Sequence, residues 1–260
     1  MTLRDRSELA SAKRVVVKVG SSSISGANEG KIELLVDALA KAHARGIEVI
    51  LVSSGAIATG MPLLGIAVKS DDLATSQALA SVGQSRLISR YQQSLERFGI
   101  VAGQVLLTSG DLEASETREN AKRAMDKLVS LRVLPIVNEN DTVATQEIRF
   151  GDNDRLAALV AVLVEADALV LLSDVDALYD MPPTKPGAKR IETVEFGADL
   201  ADVEIGGSSS DVGTGGAVTK VSAAKVATES GVAVLLTNTD QVSLALDGAE
   251  VGTWFEAAAK

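Results

Sequence analysis

"VLPIVNENDTVATQEIRFGDNDRLAALVAVLV", residues 133–164, is the stretch whose reading decides the fold. It opens on a short apolar run, "VLPIV", of the length and β-branched character of a buried strand. It closes on "LAALVAVLV", an apolar pattern long enough for a helix. Between them lie the carboxylates Glu139, Asp141, Glu147, Asp152 and Asp154 and the amides Asn138, Asn140, Gln146 and Asn153. Buried polar groups are costly unless paired, whereas a wet surface accepts them freely. The stretch is therefore either a solvated acidic loop or the lining of a polar pocket between two pieces of core.

The same strand–turn–helix unit recurs on both sides. "RVVVKV" (Arg14 to Val19) reads as a buried strand, and Lys31 to Arg45 as a helix with Ile32, Leu35, Val36 and Leu39 on one face. "EVILVSS" is a strand, residues Leu73 to Phe98 one or two helices, and "IVAGQVLLT" a strand. Helix Thr117 to Leu131 leads into "VLPIVN", helix Arg155 to Ala166 into strand "ALVLLS", and helix Lys220 to Ser230 into strand "VAVLLT". Strands alternating with helices imply an α/β fold, a parallel sheet covered on both faces. The segment "DMPPTKPGAK", with Pro182, Pro183 and Pro186, reads as an exposed loop, and "GGSSSDVGTGG" as a flexible one. Residues become more polar after about 173, which suggests one unit with two lobes.

Composition narrows the chemistry. A chain of 260 residues that is 46% hydrophobic but only 3% aromatic builds its core from Val, Leu, Ile and Ala. The formal net charge of −10 argues against nucleic acid and anionic membranes as partners. There is no cysteine, which removes disulfides, thiolate catalysis and Cys–zinc sites and fits a cytoplasmic setting. The start of the chain lacks the apolar core of a signal peptide, and no run approaches the roughly 18 apolar residues of a membrane span. The one histidine, His43, sits between Lys41 and Arg45 on a helix surface, so no Ser–His or Cys–His nucleophile pair exists.

In open α/β sheets ligands bind beyond the C-terminal strand ends. Four such ends carry unusual residues: "KVGSSS" with Lys18, Gly20 and Ser21; "SSGAIATG" with Ser53, Ser54, Gly55 and Ala56; "NENDTVAT" with Asn138 and Asp141; and "SDVDALY" with Ser173, Asp174 and Asp176. Glycine- and serine-rich turns expose backbone N–H groups and can cradle phosphate, although ordinary turns favour the same residues. Neither a G-x-x-x-x-G-K-[ST] loop nor a G-x-G-x-x-G fingerprint is present. A third such turn, "GTGGAVTK" (Gly213 to Lys220), feeds a helix and puts Lys220 near its positive end, a poor place for a cation unless an anion is close. Lys18 ends an apolar strand and also needs an anion. Phosphoryl transfer to a hydroxyl benefits from a base, but a carboxylate acceptor with a pKa of about 4.3 is already ionised. Two lysines, glycine-rich turns and acids without a histidine suit transfer to a carboxylate.

The segments "VVVKVGSSSI", "VILVSSGAIATG", "ALASVGQSRL", "NENDTVAT", "FGDNDRLAALVA", "LLSDVDALY" and "GTGGAVTKVSAA" together resemble the amino acid kinase family, in order from about residue 14 to 255. Within it, "NENDTVAT" followed by "GDND" resembles the branch acting on L-glutamate. The resemblance implies a single domain over 1–260, built as a three-layer αβα sandwich around an eight-stranded, mostly parallel sheet. Its lobes would bind glutamate (about 14–172) and nucleotide (about 173–260). It implies ATP-dependent phosphorylation of the γ-carboxylate of L-glutamate to γ-glutamyl phosphate, the first step of proline biosynthesis. Mg²⁺, feedback inhibition by proline and a homo-oligomer, with residues 73–98 as an interface, come with it. Carried over by position, Lys18, Asp154 and Lys220 are catalytic, Asp154 orienting both lysines. Ser54, Gly55, Ala56, Asn138, Asp141 and Asn153 hold glutamate. Lys18, Gly20, Ser21, Ser173, Asp174, Thr214, Gly215, Gly216, Ala217, Val218, Thr219 and Lys220 hold nucleotide, and no residue is assigned to a metal. Ala177 and Ala217 stand where relatives often carry Gly and Met, and the RNA-binding type of C-terminal domain found in many members is not expected. Another acceptor within the family, or a non-catalytic binder of proline or nucleotide, remain the alternatives.

Overall fold

The computed structural model describes residues 2–68, 72–143, 153–200 and 216–259. Among these, eight strands form one sheet: β1 (Arg14–Val19), β2 (Glu48–Ser53), β3 (Ala102–Leu107), β4 (Leu134–Glu139), β5 (Ala168–Ser173), β6 (Thr193–Val194), β7 (Ala233–Asn238) and β8 (Thr253–Phe255). Their order is β3-β4-β2-β1-β5-β7-β8-β6. Every pairing is parallel except β7 with β8. The sheet is thus the eight-stranded, mostly parallel one that the resemblance implies, and it runs unbroken through the lobe boundary near residue 173.

Alternation along the strands builds the two covering layers. Val15, Val17 and Val19 of β1 pack with α1 (Lys31–Ala44) and α3 (Leu73–Glu96) on one face. Val16 packs on the other face with α5 (Ser115–Ser130), α6 (Asn153–Leu163) and α7 (Ala217–Glu229). Both faces of β1, β5 and β7 are buried, which is why those strands read as unbroken apolar runs.

The outcome for the sequence-based elements is uneven for a physical reason. β1 and β5 have the bounds expected, and α1, α5, α6 and α7 lie within a few residues of theirs. Of residues 73–98, read as one or two helices, Leu73–Glu96 form one; Asp72 caps it, its carboxylate accepting a bond from the Thr75 N–H. The short elements α2 (Ala56–Leu63), α4 (Ser109–Glu113), α8 (Val242–Leu246), β6 and β8 were not legible. Two to eight residues carry too little periodicity to register, and the two strands exist only because β7 offers an edge.

Candidate active site

Strand parity aims the first lysine. Lys18 has the parity of Val16, so its side chain leaves β1 toward the α6/α7 layer. There its Nζ lies 2.5 Å from Asp154 Oδ1. Asp154 is the second residue of α6, where the helix dipole favours a negative charge. Its other oxygen accepts from Lys220 Nζ at 3.1 Å. Lys220 is on the first turn of α7, and Asp154 supplies the anion that such a cation requires. Lys18, Asp154 and Lys220 are only 5%, 1% and 6% exposed, so this is a buried, charged cluster in which no member could stand alone.

Thr219 completes it. Its hydroxyl lies 2.9 Å from Asp154 Oδ2 and 3.0 Å from the Gly216 carbonyl, to either of which it can donate. Burial by itself would push the Asp154 carboxyl up. Lys18, then Lys220, and the hydrogen bonds from Lys18 and Thr219 outweigh it and lower the pKa to about 2.

The remaining expected residues gather around the same strand ends. Gly20 and Ser21 turn out of β1; a Cβ on Gly20 would come within 3.8 Å of Lys18 Nζ, so the bare backbone lies directly over the ammonium. Ser54, Gly55 and Ala56 leave β2 and open α2, with the Ser54 N–H bonded to the Val19 carbonyl at 3.1 Å. Gly55 takes φ 104°, a left-handed conformation suited to glycine, and its α-carbon faces Ser21. Ser173 ends β5 in register with Asn238 of β7, and its hydroxyl donates to Asp174 at 3.0 Å. Gly216 caps α7 and Ala217 begins it, while Val218 is exposed. Thr214 and Gly215 lie outside the described residues, as do residues 144–152 of the polar loop.

Of the residues expected to hold glutamate, Asp141 is half-buried just beyond β4. Asn153 is buried at the start of α6, and its Oδ1 finds no hydrogen-bond partner among the described residues. A buried acceptor left so costs about 1–3 kcal/mol, which a donor on a ligand would recover. Asn138 is engaged from within: its Nδ2 donates to Gln84 Oε1 at 2.6 Å, and its Oδ1 accepts the Glu139 N–H at 2.9 Å. Sequence reasoning missed Gln84, and it missed the Thr219 contact with Asp154. The signal available for Gln84 was a glycine beside it within a helix, which marks close backbone approach.

Comparison with known proteins gives the family and the fold. Residues 13–238 match the sequence model of the Amino acid kinase family. The protein called Glutamate 5-kinase from Clavibacter sepedonicus is 69% identical over 255 residues, covering 98% of this chain and 98% of that one. Its namesake from Leifsonia xyli subsp. xyli is 66% identical, covering 98% and 95%. Among solved structures, carbamate kinase from Giardia lamblia bound to AMP-PNP superposes with a TM-score of 0.68 over 96% of this chain and all of that one, at 17% identity. That last likeness concerns the fold, while the first three concern descent. The chain belongs to the amino acid kinase family, and within it to the group of the glutamate 5-kinases.

Proposed function

We propose that the protein transfers the γ-phosphoryl group of ATP to the γ-carboxylate of L-glutamate, giving γ-glutamyl phosphate and ADP, the first step of proline biosynthesis. The observation that carries this reading is Asp154 holding Lys18 and Lys220 at one buried point, in a chain 69% identical to a protein called Glutamate 5-kinase. In the step, a carboxylate oxygen forms a bond to the γ-phosphorus while the bond from that phosphorus to the β–γ bridging oxygen breaks. No proton need move, because the acceptor is ionised above a pKa of about 4.3. What opposes reaction is repulsion between two anions, and preorganised cations are the remedy.

Lys18, under the Gly20 backbone, would meet the phosphates. Lys220 would offset charge on the group in flight. Asp154, held ionised, keeps both ammonium groups aimed. Asp141 and the Asn153 oxygen suit the ammonium of glutamate, and the N–H groups opening α2 and α6 suit its carboxylates. Ser173, Asp174 and the segment from Thr214 to Lys220 would hold the nucleotide, which assigns the two lobes their substrates. Among the described residues no group of three or more His, Asp or Glu side chains could hold a metal. Mg²⁺ would thus arrive on the ATP phosphates as part of the substrate and shield their charge.

Proline shares the α-carboxylate and an α-ammonium with glutamate, so inhibition by it would compete with glutamate. Exposed Leu63, Leu64 and Val82 on α2 and α3 support a homo-oligomer. Among the described residues no helix is long and apolar enough to cross a membrane, in keeping with a cytoplasmic enzyme.

The test is to mix purified protein, Mg-ATP and L-glutamate with hydroxylamine, which traps an acyl phosphate as its hydroxamate. Aspartate and N-acetylglutamate run alongside. Hydroxamate from glutamate, suppressed by proline, is expected. Product from one of the other acids alone would reassign the acceptor.

A further inference from the structure

The two walls of the amino-acid pocket belong to different strands, yet both lean on one helix that contributes nothing to the site assigned above. Tyr91 of α3 is fully buried, with its hydroxyl 2.9 Å from Ser53 Oγ. Ser53, also fully buried, ends β2, and its Oγ lies 3.0 Å from the Ser54 carbonyl. A serine hydroxyl has one hydrogen, and a carbonyl has none. Ser53 therefore donates to Ser54, and Tyr91 donates to Ser53. Burial raises the Tyr91 phenol well above its usual range, so it stays a donor. The surrounding cluster, with Leu87 and Leu95, is apolar and would accept a phenylalanine ring; among the described residues the hydroxyl bonds to Ser53.

Seven residues earlier on the same helix face, Gln84 accepts from Asn138 at the end of β4 and fixes which way that amide points. Beside it, Gly83 meets the start of α2. A Cβ there would fall 1.8 Å from the Ala56 carbonyl oxygen and 2.6 Å from the Gly60 nitrogen. One helix thus sets Ser54, Ala56 and Asn138, three of the six residues assigned to the acceptor.

We propose that α3 is the positioning element of the acceptor pocket, with Tyr91 and Gln84 as positioning residues that set acceptor affinity by acting through Ser53–Ser54 and Asn138. The inference rests on the assignment of those groups to the acceptor. On the nucleotide side Lys18 and Lys220 meet at Asp154 and Ser173 meets Asp174, contacts to which α3 contributes no residue.

The experiment is steady-state kinetics on the full chain with Tyr91→Phe, Gln84→Leu, Ser53→Ala and the Tyr91→Phe/Ser53→Ala pair, beside thermal midpoints. Each single change is expected to raise the glutamate KM about fivefold, the size of one lost buried hydrogen bond, with the ATP KM within about twofold of wild type. The pair should be no worse than Tyr91→Phe alone, because the relay acts as one unit. A lowered midpoint with glutamate KM unchanged would reduce both residues to packing. An equal rise in both KM values would mean general loosening, and either result overturns the proposal. If wild type turns over aspartate or N-acetylglutamate instead, the acceptor assignment has failed. The comparison of KM values is then made for that acid, and the positioning role stands or falls separately.

Discussion

Asp154 is shared by two buried lysines, and its loss is felt in stability. Its carboxyl is held at about 2, below the ordinary value of 3.8. A depressed folded-state pKa adds stability that is fully present above 3.8 and lost as pH falls toward 2. Asp154→Asn removes the ion that two buried lysines share, which costs about 3–5 kcal/mol at neutral pH. The gap between wild type and Asp154→Asn in denaturant unfolding is expected to stay constant above about pH 5 and to narrow as pH drops from 4 toward 2. A gap independent of pH would show that the carboxylate charge is not what stabilises the cluster. In the proposed reaction Lys220 would act on the chemical step. Lys220→Ala is expected to lower kcat by at least about 100-fold, by loss of charge stabilisation in the transition state. Single-turnover rates would check this, and near-wild-type turnover would remove Lys220 from the chemistry.

At the scale of elements, the contact between α2 and α3 decides where the turn from β2 into α2, the proposed acceptor loop, sits. Gly60 and Gly83 let two helix backbones meet: a Cβ on Gly60 would lie 2.1 Å from the Leu79 carbonyl oxygen. Neither obstacle is a flexible side chain, so neither can swing away. Gly83→Ala is expected to cost about 2 kcal/mol or more of unfolding free energy through overpacking, read as a lower denaturation midpoint. Gly83 in isolation reads as a weakness within a helix. Its reason lies in a helix that is too short to be recognised from its own eight residues. The long strands and helices were legible because burial on one or two faces imposes periodicity over a dozen residues. For α2, α4 and α8 the neighbour supplies the order.

Across the whole molecule, the start of the chain closes the far edge of the sheet. Arg6, buried just after Asp5, donates to the carbonyls of Val251 and Gly252 at 3.0 and 3.1 Å and to that of Glu192 at 2.5 Å. These carbonyls precede β8 and β6, so one guanidinium ties the chain's beginning to its last strands. Arg6→Ala is expected to destabilise the fold by about 2–4 kcal/mol, because the Val251 and Gly252 carbonyls lose a charged donor, while the Glu192 carbonyl keeps the Trp254 N–H. The KM for glutamate and ATP should stay unchanged at a temperature where the variant is folded. A change in either would mean that this edge communicates with the site. Arg6 gave no sign of this in the sequence, where it lies in an ordinary charged segment.

The sequence by itself determined the layered α/β plan and the sheet edge proposed to bind ligands. Apolar strands alternating with amphipathic helices admit few other arrangements, and Gly, Ser, Lys and Asp at successive strand ends mark that edge. It also determined that the chemistry manages without histidine or thiol. Only the tertiary structure decided which charges share a point. Lys18, Asp154 and Lys220 come from three distant segments, and their meeting depends on β1 lying beside β5 and on α6 packing against α7. It alone decided that Thr219 braces Asp154 and that Tyr91 and Gln84 reach Ser53 and Asn138. Periodicity reports which face of an element is buried. It is silent on which element comes to cover that face, and long-range pairs of polar groups are a property of the cover.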